Sequence, residues 1–272
     1  MFTSFIRRSV FTGGLLLSVM STIASADTFT VNPGAVNVPG PTVQANFTDF
    51  SYVALVNQTA TNGTGTFNEQ GGGFFSSYRF PGLADVVANA GINSSYKLYA
   101  VFAGAGMVAP TEGVAGGVTA TFNSFNLRLF LDPNQNSFVT ASPVGTVGGT
   151  VNIGGTGDDI LVGQSAGLIA GQAHAFPGLA NGDFDVQVRF NPVGGFLSGP
   201  FVLNVALADF NGVNTSLTGF SLGSFNSGRI DGSGNLSFTA VPVVPAVPEP
   251  STLLLLGSGL TALVCLRQYV RS

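Results

Sequence analysis

The sequence has little charge and few of the side chains that enzymes use for acid–base chemistry. Of 272 residues, 8% are charged, one is histidine, one is cysteine and none is tryptophan. Coiled coils, nucleic-acid-binding proteins and charge-driven disordered chains all need dense charge, so these three classes are excluded. One histidine and a single lysine, Lys97, leave little material for proton transfer. We therefore expect a protein that is not an enzyme and that needs no cofactor.

Glycine, phenylalanine and proline are abundant instead. The chain has 38 glycines, 24 phenylalanines and 14 prolines, which is typical of a β-rich protein with many turns. The glycine-rich stretches at residues 71–73 and 148–155 are interpreted as long flexible loops. Four dipeptides predict turns between strands: Asn62-Gly63, Asn181-Gly182, Asn211-Gly212 and Asp231-Gly232.

Three stretches alternate apolar and polar residues with the period of two that a half-buried strand requires. They are Asp183–Phe190, Phe125–Leu131 and Phe201–Leu207. The predicted apolar faces are Phe184, Val186, Val188 and Phe190; Phe125, Leu127, Leu129 and Leu131; and Phe201, Leu203, Val205 and Leu207. Weaker strand patterns cover residues 47–55, 97–102, 160–162, 220–225 and 236–240. The sequence therefore predicts one all-β domain over residues 27–240, with the architecture of a two-sheet β-sandwich.

The N-terminal residues have the three-part layout of a secretory signal peptide. This layout is a positively charged start, an apolar segment too short to span a bilayer, and small residues at the cleavage site. The parts are Arg7 and Arg8, Val10–Val19, and Ala24 with Ala26. We expect residues 1–26 to be removed during export, so that the mature chain begins at Asp27.

The C-terminal residues have an ordered layout of their own. A proline-rich linker at residues 241–247 leads to Pro248-Glu249-Pro250, and an apolar helix is predicted at residues 252–266. Arg267 and Arg271 follow it and would keep the end of the helix on the cytoplasmic side of a membrane. The helix is short for a bilayer span of about 20 residues. The segment is therefore either a plain membrane anchor or a sorting signal that a membrane protease removes.

This layout resembles the PEP-CTERM sorting signal of Gram-negative bacteria over residues 248–272. The resemblance implies recognition by an exosortase and cleavage near the Pro-Glu-Pro triplet. It also implies transient insertion into the inner membrane and delivery to the cell surface or the extracellular matrix. One departure from the pattern is that Arg267 and Arg271 do not form a tight basic cluster.

Removal of both ends would leave residues 27–248 as the working molecule. This part has 12 acidic and five basic residues, a net charge of −7, because Glu249 and four arginines lie in the removed ends. The one cysteine, Cys265, lies in the C-terminal segment, so no disulfide can stabilise the exported part. The domain must be held together by burial of its core, for which about 220 residues suffice.

Four segments of this part are similar, in order, to segments of the flocculation-associated PEP-CTERM proteins. They are residues 27–34, 129–136, 157–163 and 182–186. The resemblance implies a role in cell aggregation within an extracellular polysaccharide matrix. It supplies no catalytic residues.

Two acidic segments have features of calcium loops. Asp132, Asn134 and Asn136 place oxygen ligands at alternate positions, and Asp158 with Asp159 belongs to one copy of a glycine-rich calcium repeat. The first segment lacks the glycine and the bidentate glutamate of an EF-hand, and one repeat copy cannot hold an ion alone. Simpler interpretations are a turn stabilised by Asp132 and a glycine-rich loop that enters a strand. A weak, irregular calcium site remains an alternative.

Two patterns associated with hydrolases, a G-x-S-x-G motif and a pair of aspartates, occur without the other features that those enzymes need. Residues 163–167 and 219–223 both match G-x-S-x-G, but the position of His174 does not give the chain order of a catalytic triad. Asp183 and Asp185 would lie on the solvated face of their strand, where neither carboxyl is withdrawn from water as a glycosidase acid must be.

The leading hypothesis is a non-enzymatic protein of the cell surface or extracellular matrix that promotes cohesion with exopolysaccharide or neighbouring cells. Two alternatives stay open. One is a discrete carbohydrate- or calcium-binding module. The other is an outer-membrane barrel, whose alternating strands would turn their apolar faces to the lipid.

Overall fold

A computed structural model describes residues 26–61, 64–80, 86–114, 116–146, 148–176, 181–200, 205–218 and 227–241. These residues form β-strands and two short 3-10 helices, at Pro33–Val36 and Thr156–Asp158. The strands are β1 (Phe29–Val31), β2 (Val43–Ala45), β3 (Phe47–Thr61), β4 (Thr64–Arg79), β5 (Lys97–Pro110), β6 (Val118–Asp132), β7 (Phe138–Ala141), β8 (Val151–Gly154), β9 (Ile160–Phe176), β10 (Asn181–Pro192), β11 (Leu197–Ser198), β12 (Ala206–Thr218) and β13 (Gly228–Ala240). The all-β prediction is confirmed over this part of the chain.

Eight strands form a closed antiparallel barrel, so the predicted two-sheet β-sandwich is wrong. Around the barrel the order is β3, β4, β5, β6, β9, β10, β12 and β13, and β13 pairs with β3 to close the ring. The closing pair runs from Gly228 opposite Val56 to Ser237 opposite Phe47. Each of these strands has a neighbour on both sides, so closure removes the free edges of the sheet. The pairing of β6 with β9 is interrupted between Thr121 and Arg128. A sandwich and a barrel share the same alternation along each strand and differ in this long-range pairing.

The interior of the barrel is filled by aromatic and aliphatic side chains. The predicted inner faces of β6 and β10 are confirmed, since all their members are buried except the half-buried Phe184. Phe50 stacks on Phe210 with 4.5 Å between ring centroids, and Phe102 stacks on Phe125 at 5.8 Å. Side chains of this size fill the interior of an eight-stranded barrel.

The apolar face predicted at residues 201–207 is wrong where the structure describes it. Leu207 points to the outside of the barrel and is half-buried. The inner side of β12 carries Ala206, Ala208 and Phe210. Small residues fit this level because the neighbouring strands place Phe190 beside Ala206 and Phe238 beside Ala208.

Several glycines predicted to lie in loops or turns instead lie inside strands, because aromatic rings occupy the space over them. Residues 71–73 belong to β4, and residues 148–155 include β8. A Cβ on Gly71 would lie 2.1 Å from Cζ of Phe102, and one on Gly232 would lie 2.3 Å from the Tyr52 hydroxyl oxygen. The dipeptides Asn211-Gly212 and Asp231-Gly232 are likewise within β12 and β13 rather than in turns.

A small sheet of β1, β2 and β11 packs at the end of the barrel where β13 finishes. The Asp27 N–H donates to the Phe238 carbonyl oxygen at 2.8 Å, and the Ala240 N–H donates to Asp27 Oδ2 at 2.8 Å. The Phe29 ring meets the Phe238 ring edge-on at 5.1 Å between centroids. The first residues of the predicted mature chain are therefore fixed next to the last strand.

The segment between β6 and β9 leaves the barrel and returns to it. Its hairpin, β7 with β8, packs on the outside of β3 and β4. A Cβ on Gly72 would lie 3.0 Å from Ile153 Cδ1, so the hairpin rests directly on the glycine stretch of β4. The two ends of this segment, after β6 and before β9, meet at the acidic residues described below.

The predicted signal peptide and C-terminal segment fall outside the described residues, apart from Ala26. They include Ala24, the Pro248-Glu249-Pro250 triplet, the helix at residues 252–266, Arg267 and Arg271. The domain boundaries remain predictions. Within the described ranges, no helix combines the length and apolar character that a membrane span requires.

Candidate functional site

The structure brings the two predicted calcium segments together. Asp132 ends β6, and Asp158 and Asp159 immediately precede β9. Because β6 and β9 are neighbours in the barrel, these residues meet, and each offers a carboxylate oxygen within 4.8 Å of the others. We call Asp132, Asp158 and Asp159 the acidic cluster.

Asp132 is fully buried, and backbone groups occupy both of its oxygens. Its Oδ1 accepts a hydrogen bond from the Asn134 N–H at 3.1 Å, and its Oδ2 accepts one from the Ser137 N–H at 2.7 Å. This is the turn predicted for the end of the strand, in which an aspartate side chain binds the backbone two residues ahead. The turn interpretation is therefore confirmed.

The two predicted asparagine ligands lie at Asp158. The Asn134 side-chain amide donates to Asp158 Oδ2 at 2.7 Å, and the Asn136 amide donates to Asp158 Oδ1 at 3.4 Å. Rotation of either amide by half a turn would present its oxygen to the cluster in place of its nitrogen. All five residues predicted from the sequence thus sit at one place on the molecule.

Asp159 has one satisfied and one unsatisfied oxygen. Its Oδ2 accepts hydrogen bonds from the Tyr99 hydroxyl at 2.5 Å and the Ser137 hydroxyl at 2.9 Å. Its Oδ1 is buried without a hydrogen-bond partner. Burial, reinforced by the hydrogen bond to Asp159 and the charge of that carboxylate, raises the pKa of Tyr99 far above its ordinary value. Tyr99 therefore stays a hydrogen-bond donor to the cluster.

Oxygen is the donor that calcium prefers, and calcium takes six to eight such ligands. Among the described residues, the ion pairs are Asp49–Arg79, His174–Asp183 and Arg229–Asp231, and none of them includes a member of the acidic cluster. The nearby Lys97 ammonium donates to the Ser137 carbonyl oxygen at 3.2 Å. The cluster could hold a cation through three carboxylates and the turned asparagine amides. Without a cation, its hydrogen bonds link the residues that follow β6 to those that precede β9, and so join the two ends of the segment that carries β7 and β8.

The first G-x-S-x-G match is structural. Ser165 lies within β9, and its Oγ accepts a hydrogen bond from the Leu127 N–H at 2.9 Å. A nucleophile elbow needs a turn between a strand and a helix, which this continuous strand does not provide. The second match, at residues 219–223, lies outside the described residues.

A second polar site, on the outer wall of β9, β10 and β12, was not predicted from the sequence. It is a groove of about 710 Å³ with an apolar wall formed by Leu168 and Ile169 and a polar wall on β10 and β12. The polar wall consists of Asp183, Asp185, Gln187 and Asp209, with Gln172 and His174 at the edge. We call it the carboxylate groove. Asp183, at its margin, is hydrogen-bonded to His174 Nδ1 at 2.6 Å.

Asp185 and Asp209 lie side by side in the carboxylate groove, joined by a side-chain hydrogen bond. Burial, followed by the charge of Asp185 and that hydrogen bond, raises the pKa of Asp209 to about 6. Asp209 Oδ1 is buried and has no hydrogen-bond partner. The prediction that Asp185 lies on the exposed face of its strand is confirmed, but Asp209, which lies beside it, comes from the neighbouring strand β12. No feature along the sequence indicates that pairing.

Sequence reasoning also missed an acidic side chain inside the barrel. Glu69 alternates with Phe67 and Gly71 on the inner side of β4, and removal of its carboxyl from water raises its pKa to about 7. It borders a cavity of about 20 Å³ that Tyr52 and Asn214 also line. The Tyr52 hydroxyl donates to Asn214 Oδ1. A cavity of this size has room for about one water molecule.

Comparison with known proteins yields one match. The PEP-CTERM protein-sorting motif matches residues 246–271. Neither the curated proteins nor the solved structures contain a match to the chain. The chain thus carries a PEP-CTERM sorting motif, as its Pro-Glu-Pro triplet and the segment after it indicated.

Proposed function

We propose that the PEP-CTERM motif directs this chain through an exosortase to the outside of a Gram-negative cell. There the barrel acts as a non-enzymatic protein of the cell surface or extracellular matrix. Its role is to hold cells together with exopolysaccharide, as in flocculation or biofilm formation. The observation that carries the proposal is the sorting motif at residues 246–271, which marks the chain for export and processing.

The outer wall of the barrel supports a role in contact with polysaccharide. Side chains in direct register form a polar row across six neighbouring strands, and its members are exposed or half-buried. The row consists of Thr121, Gln172, Asp185, Asn211, Asn235 and Asp49. Neighbouring strands are about 4.8 Å apart, so the row offers a hydrogen-bonding group at each such step. Sugar hydroxyls pair with amides, carboxylates and hydroxyls of this kind.

The direction of the alternation argues against the outer-membrane alternative. A lipid-facing barrel turns its apolar residues outward and its polar residues inward. In the described strands the arrangement is the reverse, with Phe50 and Phe210 inside and Asp185 and Asn211 outside. The outer wall is therefore suited to water and polar partners.

Deletion of the gene tests the proposal. We expect a deletion strain grown under matrix-producing conditions to form few or no aggregates, and the wild-type chain supplied in trans to restore them. Replacement of Pro248-Glu249-Pro250 by alanines should fail to restore aggregation, because the barrel would not be processed. Aggregation is measured by settling rate and floc size. Unchanged aggregation in the deletion strain, with polysaccharide production intact, would show that the proposed role is wrong.

A calcium-binding module is the second candidate, because the structure joins five predicted ligands at the acidic cluster. We expect calcium to raise the melting temperature by about 2–4 °C for each kcal/mol that its binding adds to the free energy of unfolding. Asp158→Asn should abolish that rise, because it removes one carboxylate charge while keeping the shape of the side chain. Glu112→Gln, on an exposed turn, is the matched control. Calorimetry without saturable heat, together with an unchanged melting temperature, would eliminate this candidate.

A further inference from the structure

The carboxylate groove lies beside two irregularities in one strand. Opposite β10, the strand β9 carries two extra residues, Ile169 and Ala166, each of which interrupts the pairing register. Such β-bulges bend the strand locally and re-aim its side chains, and they are frequent beside binding sites. Here they place Ile169 at the rim of the groove, where 45% of its surface is exposed. The groove therefore has one apolar wall that faces a wall of carboxylates and amides.

Asp183 is paired with His174, but the two other carboxylates of this groove are not paired with a described basic side chain. Within the described ranges, neither Asp185 nor Asp209 has an ion-pair partner. The two carboxyl groups can share a hydrogen bond only while one of them is protonated, and one oxygen of Asp209 has no hydrogen-bond partner. At neutral pH the two negative charges repel each other across this contact. A positively charged ligand would remove the repulsion and complete the hydrogen bonding.

The apolar wall, the amide side chains and the two unpaired carboxylates of the groove together indicate which kind of ligand it binds. We propose that the carboxylate groove binds an amine-bearing sugar unit of an extracellular polysaccharide, with its ammonium group between Asp185 and Asp209. The apolar face of the sugar ring lies against Leu168 and Ile169, and its hydroxyl groups bond to Gln172 and Gln187. This inference rests on the proposed function and gives the polysaccharide partner a chemical class, a polymer of hexosamine with free amino groups.

Binding to defined polymers tests the inference. The protein is purified from the cell surface of its host and titrated with partly de-N-acetylated polyglucosamine and with the same polymer fully N-acetylated. We expect at least tenfold tighter binding to the amine-bearing polymer. Asp185→Asn combined with Asp209→Asn should weaken that binding at least tenfold. Asp231→Asn combined with Glu112→Gln changes the net charge equally outside the groove and should leave the binding unchanged.

Three results would overturn the inference. They are equal affinity for the two polymers, equal losses in the groove and control variants, and release of reducing ends from the polymer. Circular dichroism of both double variants verifies that they fold. The inference and the proposed function fail separately. If the groove variant restores normal aggregation to the deletion strain, the inference is wrong and the function stands. If deletion itself leaves aggregation unchanged, the function is wrong.

Discussion

Replacement of Gly71 by valine should cost the barrel about 3 kcal/mol or more of its free energy of unfolding. A Cβ at this position would lie 2.1 Å from Cζ and 2.4 Å from Cε2 of the Phe102 ring. The ring cannot move aside easily, because the rings of Phe125 and Phe210 pack against it with centroids 5.8 Å and 5.5 Å away. Overpacking of a filled core costs 1–3 kcal/mol and more when the neighbours are fixed. Urea unfolding followed by circular dichroism measures the loss.

Two further variants make this test decisive. Gly157→Val places the same side chain where nothing lies within 4 Å of the Cβ, and we expect less than about 0.5 kcal/mol of change. Gly71→Val combined with Phe102→Ala removes the obstructing ring and should be more stable than Gly71→Val alone, even if the single variant does not fold. A Gly71→Val protein as stable as the wild type would contradict the claim that strand glycines make room for rings.

The second large effect is a decrease in stability with rising pH. Because Glu69 has a pKa of about 7 in the folded chain and 4.5 as the ordinary value, the folded state binds more protons than the unfolded state between these values. Stability therefore falls as the pH rises from about 4.5 to about 7 and then levels off. Asp209, with its pKa raised to about 6, acts in the same direction from about pH 4 to pH 6.

Glu69→Gln should remove most of this decrease. Glutamine has the shape of the protonated acid and carries no charge, so we expect the variant to match the wild type near pH 4. At pH 8 it should exceed the wild type by about 2–3 kcal/mol. Urea unfolding at pH values from 4 to 8 measures the difference. Glu112→Gln removes the same charge from an exposed turn and serves as the control. The same slope with pH in the wild type and Glu69→Gln would show that Glu69 is not responsible.

The strand faces could be predicted from the sequence wherever a strand alternates without interruption. In β10, each of Phe184, Val186 and Val188 has a polar neighbour, and the burial follows this pattern. Alternation reports which face is buried and nothing about which strand lies alongside. The sandwich was predicted in place of a barrel because closure depends on the pairing of β13 with β3. These segments lie near opposite ends of the chain, and no local pattern links them.

The prediction that glycine-containing segments form loops and turns was wrong for a different physical reason. Asn211-Gly212 has the composition of a tight turn, but Gly212 lies in mid-strand, where a Cβ would be 2.4 Å from the Ser233 carbonyl oxygen and 2.8 Å from Cε1 of Phe184. A glycine can mark a turn or make room for a ring, and the sequence alone does not distinguish these uses. The abundance of phenylalanine beside the abundance of glycine was the available signal.

In the candidate sites too, the individual segments could be recognised from the sequence, but their pairing across strands could not. Both halves of the acidic cluster were recognised, Asp132 with its asparagines and Asp158 with Asp159, but as separate segments. Their meeting depends on the pairing of β6 with β9. The carboxylate groove was missed because Asp209 comes next to Asp185 across two strands. Glu69 could have been placed inside the barrel, since it stands on the same alternating face as Phe67.

Intact-mass spectrometry of the protein recovered from the surface and matrix of its native host tests the central claim most directly. We expect a chain that begins at Asp27 and ends near Pro248-Glu249-Pro250, without the predicted helix and the terminal arginines. A full-length C-terminus, found in the cytoplasmic membrane of a host that possesses the exosortase, would contradict it.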